Sequence, residues 1–324
     1  MRTTISFVVL GFIAMLTGCS APSLLVTPVA NTTKIEEIKV QDGKTAFADK
    51  VALIEVEGML VNARTGGFLQ AQENKLSLFT QQMEAAEKDP KVKAVVLRVN
   101  SPGGTVTCSD TMYQIVKKFR QTSHKPVIAS GQEVMASGAY YLATGCDDIV
   151  VQPTTVVGSV GVIFELFQVD QGLAKLGVST TTIKSAAHKD IGSPFRPMAV
   201  DEKQILQSTV DEYYKRFLGV VQAKCNITDP EKLAMATDGR VFSGCEALNI
   251  GLVDKVGLLS DAIDLAKEKA NSPGAAVVMY KRPYGYSGSI YADTSIAPAQ
   301  SSSAIQLQVP DSMFLPKGFY YLWK

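Results

Sequence analysis

The sequence predicts an α/β domain built from βαβ units. Two observations carry that class. Short β-branched runs alternate with stretches of helical periodicity through the centre of the chain, and at least one run is apolar at consecutive positions, as a strand covered on both faces must be. The alternation starts at "VALIEVEG" (51–58), a strand, followed by Leu76, Phe79, Met83 and Ala86 at helical spacing. "VKAVVLRVN" (92–100) is the continuously apolar strand. Met112, Ile115, Val116 and Phe119 mark the next helix, and "KPVIASG" (125–131) the next strand. A short helix begins near Ser137 and stops by Gly145. "DDIVVQP", "GSVGVIF" and "STTTIKS" read as three further strands, a long helix covers roughly 201–224, another 259–270, and "AAVVMYK" (275–281) is a last strand. No internal repeat is visible.

With 324 residues, 46% of them apolar, the chain is long enough to bury a sizeable core. Its 32 Lys and Arg balance 31 Asp and Glu without a basic stripe, which sets nucleic-acid binding aside. Residues 1–18 carry one cation, Arg2, then an apolar run over 5–16 that is short for a bilayer span and suits an export signal. The stretch Leu16-Thr17-Gly18-Cys19 resembles a bacterial lipoprotein processing site, which implies a lipidated Cys19. Residues 19–48 read as a lipidated N-terminus and tether, 49–271 as one catalytic domain and 272–324 as a C-terminal extension. The closing "GFYYLWK" is too aromatic for a free tail and is expected to dock on the domain, a neighbour or a membrane. Cys108, Cys146, Cys225 and Cys245 form no CxxC pair, and with His124 and His188 the only histidines, a metal site lacks its ligands. No metal or other cofactor is expected.

Three glycine-bearing turns follow strands: "NSPGGT" (100–105), "VMASGAYY" (134–141) and "VGSVGVI" (157–163). Gly103 and Gly104 serve a tight turn after Pro102, or they let backbone N–H groups face an oxyanion. Neither P-loop nor GxGxxG spacing is present. Ser137 is an N-cap, or a nucleophile favoured by the positive end of a helix and given room by Ala136 and Gly138. A serine nucleophile needs a base, and neither histidine has an obvious orienting partner. A lysine serves only when neutral, which requires desolvation or nearby cations to lower a pKa of about 10.4. "TIKSAAHKDIGSPFRPM" offers Lys184 and Lys189.

Taken in order, "VNSPGG", "EVMASGAYYLA", "GSVGVI", "IKSAAHKDIGSPFRPM" and "DGRVFSGCEALNIGLVD" closely resemble the signal peptide peptidase A family, peptidase family S49, of the short single-domain type. The resemblance spans roughly 50–270. It implies a ClpP/crotonase-like fold and a serine–lysine dyad, with Ser137 as nucleophile. It implies Lys189, in the "AHKD" run, as general base, with Lys184 the alternative. Ser159 would orient the lysine amine, and N–H groups at Gly103 and Gly104 would form the oxyanion hole. Remnant signal peptides or other short exported peptides would be the substrates. A ring- or dome-shaped homo-oligomer is implied, with the dyad meeting across subunits. The lipid would hold the enzyme on a membrane, facing the periplasm or cell exterior. Three other readings compete: a protease of a stomatin-like membrane partner, an inactive scaffold lipoprotein, and a crotonase-type acyl-CoA enzyme, against which the export signal counts. Val156, Val160 and Val162 are candidate lining residues that core packing explains equally well.

Overall fold

A computed structural model describes residues 35–45, 47–63, 74–281 and 318–323. The signal segment, Cys19 and most of the C-terminal extension lie outside these residues.

The core is a largely parallel sheet. In chain order its strands are β1 (Glu36–Gln41), β2 (Lys50–Glu57), β3 (Val92–Ser101), β5 (Val127–Ala136), β6 (Asp148–Val151), β7 (Val156–Gly158), β8 (Val241–Phe242), β9 (Lys255–Val256) and β10 (Ala276–Lys281), while β4 (Gly103–Thr105) pairs elsewhere. The spatial order β1-β10-β2-β3-β5-β6-β9 is parallel from β10 to β9, with β1 added antiparallel at one edge. Parallel neighbours need crossovers, and the helices Lys75–Lys88, Val106–Ser123 and Gly138–Ala143 supply them.

Both faces of the sheet are covered, which is why the strands read as unbroken apolar runs. Ala52, Ile54, Val95, Leu97, Val127 and Ala129 face the helices Lys75–Lys88, Val106–Ser123 and Val200–Lys224. Val51, Leu53, Ala94, Val96 and Ile128 face the helix Leu259–Lys269 through Leu259, Ala262, Ile263 and Ala266. The sequence patterns identify these helices and strands within a few residues. They do not reveal β1, whose "EEIKVQ" exposes its charges at the sheet edge within the stretch read as tether. "STTTIKS" is not a strand. Its residues are exposed and carry no ladder, so β-branched composition alone misleads there. Of "GSVGVIF", only Gly158 belongs to a strand, β7, and Ile163 adds an isolated bridge to Tyr320.

β5 changes partners along its length. Residues Ile128 to Gly131 pair with β6, and Val134 to Ala136 pair with β7, while the register against β3 shifts between Val99 and Ser101. The strand therefore bends out of the main sheet before delivering Ser137 at its end. A second, two-stranded sheet joins β4 to β11 (Tyr320–Leu322), so the aromatic C-terminal stretch docks on the domain.

Candidate active site

Ser137 sits between β5 and the helix Gly138–Ala143 with φ 53° and ψ −117°, a backbone conformation that costs a non-glycine residue about 1–3 kcal/mol. Its N–H donates to the Gly158 carbonyl at 2.7 Å and its own carbonyl accepts from Tyr141 N–H at 2.8 Å, so the turn is held at both ends. The capping role is absent: the side chain makes no cap hydrogen bond. Its Oγ is buried and finds no partner among the described residues. A buried hydroxyl without a partner is costly, and together with the strained backbone it singles out Ser137 as the candidate reactive residue.

The helix behind Ser137 is anchored on two sides. Tyr140 Oη donates to the Leu252 carbonyl at 2.6 Å, and Tyr141 Oη donates to Asp110 at 2.8 Å, which in turn accepts from Arg216. Every residue of this helix is buried. Tyr140 and Tyr141 thus fix the turn that carries Ser137.

Glycines let two backbone segments approach it. A Cβ at Gly103 would meet the Gly138 nitrogen at 2.6 Å, and one at Gly138 would meet the Gly104 nitrogen at 3.2 Å. Gly103 also has φ +98°, open only to glycine at low cost. Its N–H donates to Ser101 Oγ at 3.1 Å, whereas Gly104, the second glycine singled out by sequence, lies opposite Tyr321 in the β4–β11 ladder. Gly138, whose amide follows the serine, stands beside Gly104. The sequence pattern gives Gly138 only as a small neighbour that leaves room at Ser137, although the position after a candidate nucleophile at a strand-to-helix turn is where an oxyanion donor is expected.

Ser159 also has positive φ, 53°, and its N–H donates to the Arg240 carbonyl at 2.7 Å. It borders a cleft of about 400 Å³ shared with Val162, Gln207, Thr237, Gly239 and Leu322. Val160 lines the same cleft. Val156 does not, and begins β7.

The lysines stand apart from this centre. Lys189 lies on an exposed turn. Lys184 is tied locally, donating at 2.7 Å to the Ala187 carbonyl and at 2.7 Å to Asp190. Arg196 clamps the same loop by bonding both Asp190 and Glu202. Its guanidinium and the Ala199 N–H hold the Glu202 carboxyl down to about 2, and Arg196, helped by Lys184, holds Asp190 well below the usual carboxylate range. The structure therefore gathers Ser137, Gly104, Gly138 and Ser159 within one chain, and leaves both candidate bases outside the serine's reach.

His124 caps the helix Val106–Ser123 with φ 57°. His188 faces Asp201 at 3.9 Å on the surface. Among the described residues the four cysteines are unpaired thiols, and burial pushes Cys108 up to about 11 and Cys146 up to about 12, which suits packing rather than nucleophilic attack.

Comparison with known proteins identifies the family. Residues 119–272 match the model of "Peptidase family S49", and residues 53–155 that of "Clp protease". The "Putative protease MJ0651" of Methanocaldococcus jannaschii is 37% identical over 214 residues, 66% of this chain and 68% of its own. The "Putative signal peptide peptidase SppA" of Enterococcus faecium is 31% identical over 288 residues, 89% of this chain and 83% of its own. The "Serine protease SPPA, chloroplastic" of Arabidopsis thaliana is 32% identical over 71% of this chain and 34% of its own. With these relatives, the chain belongs to peptidase family S49, the serine-type proteases of the ClpP-like superfamily.

Proposed function

We propose that this protease is a membrane-tethered endopeptidase in which Ser137 attacks the peptide carbonyl and Lys189 of a neighbouring subunit acts as general base. The observation that carries the reading is the Ser137 elbow: a strained backbone, a buried Oγ without a partner, and glycine amides close by. In the reaction, Lys189 removes the Ser137 proton as Oγ bonds to the carbonyl carbon. The N–H groups of Gly104 and Gly138 receive the oxyanion. The lysine ammonium then protonates the leaving amine, and a water deprotonated by Lys189 hydrolyses the acyl-enzyme. Ser159 steers the amine, and Gly103 keeps the turn open.

Assembly is needed because no base reaches Ser137 within the chain. Its means is the apolar surface of the segment that carries Lys189. Phe167, Leu176, Val178, Ile183, Val200 and Ile205 are exposed there, an arrangement typical of a surface that self-associates. Cleavage of remnant signal peptides fits the membrane anchoring expected of a lipidated Cys19, which also places the enzyme outside the cytoplasmic membrane. Among the described residues no helix is long and apolar enough to cross a membrane.

The test is cleavage of fluorogenic apolar peptides by the wild type and by Ser137→Ala, Lys189→Ala and Lys184→Ala, with oligomer size checked for each. Loss in the first two and retention in the third is the expected pattern. Activity surviving Ser137→Ala removes the serine as nucleophile. Loss in Lys184→Ala with retention in Lys189→Ala moves the base to Lys184.

A further inference from the structure

The loops that enter the parallel strands form one surface at the end of the sheet opposite Ser137. β10, β2, β3 and β5 run the same way and begin at Ala276, Lys50, Val92 and Val127. Backbone bonds tie their entering segments together. Lys44 N–H donates to the Gly274 carbonyl at 3.0 Å, Lys50 N–H to the Lys91 carbonyl at 2.8 Å and Val95 N–H to the Pro126 carbonyl at 2.9 Å. Ser137 follows the last residue of β5, at the far end.

On this surface Phe47 is 85% exposed. Lys91 Nζ lies over its ring, 5.7 Å from the centroid, and Lys44 precedes it by three residues. The loops 42–50, 88–93 and 121–126 hold six lysines and three aspartates, with no arginine or glutamate. All three acids are already paired: Asp42 with Lys39 at 2.5 Å, Asp49 with Lys93 at 3.9 Å, and Asp89 with Lys50 at 2.9 Å. Lys125 turns inward and donates to the carbonyls of Ala86, Glu87 and Asp89. Lys44 and Lys91 are exposed and meet no carboxylate among the described residues, so the free charge beside Phe47 is positive.

An aromatic ring in water, framed by unpaired cations, suits a lipid headgroup layer. The ring enters the acyl boundary while the ammonium groups meet phosphates. A protein partner would need a broader apolar centre to its interface, and Phe47 is the one large apolar side chain exposed among the described residues of these loops. The anchor itself does not choose a face. Cys19 and Glu36 are seventeen residues apart, a reach of about 55 Å when extended, so a lipid on Cys19 lets either end of the domain meet the bilayer.

We propose that the surface formed by Lys44, Phe47 and Lys91 rests on an anionic bilayer, with the cleft opening away from it. β5 spans ten residues, roughly 30 Å, so Ser137 stands about that far from the lipid and cuts peptides that project clear of the bilayer. The proposal rests on the membrane anchoring put forward above.

The experiment puts full-length protein into vesicles of phosphatidylcholine and phosphatidylglycerol with acyl chains brominated near the headgroup, and reads tryptophan quenching. Trp323, the single tryptophan of the chain, bonds to the Pro102 carbonyl at the Ser137 end and reports on that end in the wild type. Phe47→Trp combined with Trp323→Phe reports on the opposite end. Quenching by about half is expected in the combined variant and almost none in the wild type. It should fall several-fold in phosphatidylcholine alone, and likewise when Lys44→Gln and Lys91→Gln are added. Fold, oligomer size and flotation with the vesicles are checked for each form, and Phe47→Asp is added as a control. Protein that floats with Trp323 quenched, or with neither position quenched, overturns this proposal and leaves the anchor standing. Phe47→Asp chains that change oligomer size give the surface to a second copy and overturn it too. Wild-type protein that does not float removes the anchoring, and this proposal with it.

Discussion

Ser137 and Lys189 are not partners within one chain: the serine Oγ is buried without a hydrogen-bond partner among the described residues, and the lysine stands on an exposed turn. If a neighbouring subunit brings the lysine, two inactive variants repair each other. Co-expression of Ser137→Ala and Lys189→Ala chains then gives sites that combine an intact serine with an intact lysine. In a closed ring of adjacent contacts roughly a quarter of sites qualify, so about a quarter of the wild-type rate is expected. Mixed oligomers as inactive as either parent would place the base in the serine's own chain.

Gly103 offers a test of the oxyanion geometry that leaves Ser137 and the lysines untouched. A Cβ there meets the Gly138 nitrogen at 2.6 Å, and the φ of +98° is one that alanine resists. Gly103→Ala should displace the Gly138 amide and lower kcat by about 10²–10³-fold, the usual cost of losing one oxyanion donor. A fold unchanged by circular dichroism with kcat reduced and KM little altered is the expected signature. Activity within twofold of wild type would show that the glycine turn is structural only.

The loop carrying Lys189 is pinned by charge, which makes it sensitive to acid. Glu202 titrates near 2 in the fold against 4.5 unperturbed, and Asp190 is lowered as well. A carboxyl with a depressed folded pKa binds fewer protons folded than unfolded. Its stabilising effect is complete above about 4.5 and is lost as the pH falls towards 2. Protection factors over residues 184–202, taken against the intrinsic exchange rate at each pH, should therefore fall between pH 4.5 and 2 before the central strands open. Arg196→Ala should show the loosened loop already at pH 7, with a fall in activity on the order of a hundredfold from the misplaced lysine. Protection in this loop that stays constant until global unfolding would contradict the pinning role.

The sequence makes the fold and the candidate serine legible for different reasons. Strands buried on both faces, such as β3, leave a continuous apolar run that no other environment tolerates. "MASG" puts small residues around a serine at a strand-to-helix junction, a local arrangement that the backbone then realises. What escapes the sequence is set by partners distant along the chain. β1 is a strand only because β10, more than two hundred residues later, pairs with it. Gly138 gains its place because Gly104 approaches it, and Ser101 holds the N–H of Gly103 while Gly104 lies on the ladder opposite Tyr321. "STTTIKS" shows the converse: β-branched residues with no sheet edge beside them form no strand.

Glu55 and Arg98 stand opposite each other on β2 and β3 and pair directly, with side chains 5% and 4% exposed. Glu57 lies 3.9 Å from the same guanidinium. The pair sits on the central strands, so its removal tests the stability of the scaffold rather than the chemistry. Arg98→Ala takes the guanidinium from a buried carboxylate, which costs about 3–5 kcal/mol. For a domain of this size that lowers Tm by roughly 10 °C. Replacing both partners, as in Glu55→Leu with Arg98→Met, removes the desolvation cost along with the attraction and should recover most of the loss. Thermal unfolding of Arg98→Ala and of the double variant measures this. A double variant as unstable as Arg98→Ala would mean that the arginine acts through its packing and not through its charge.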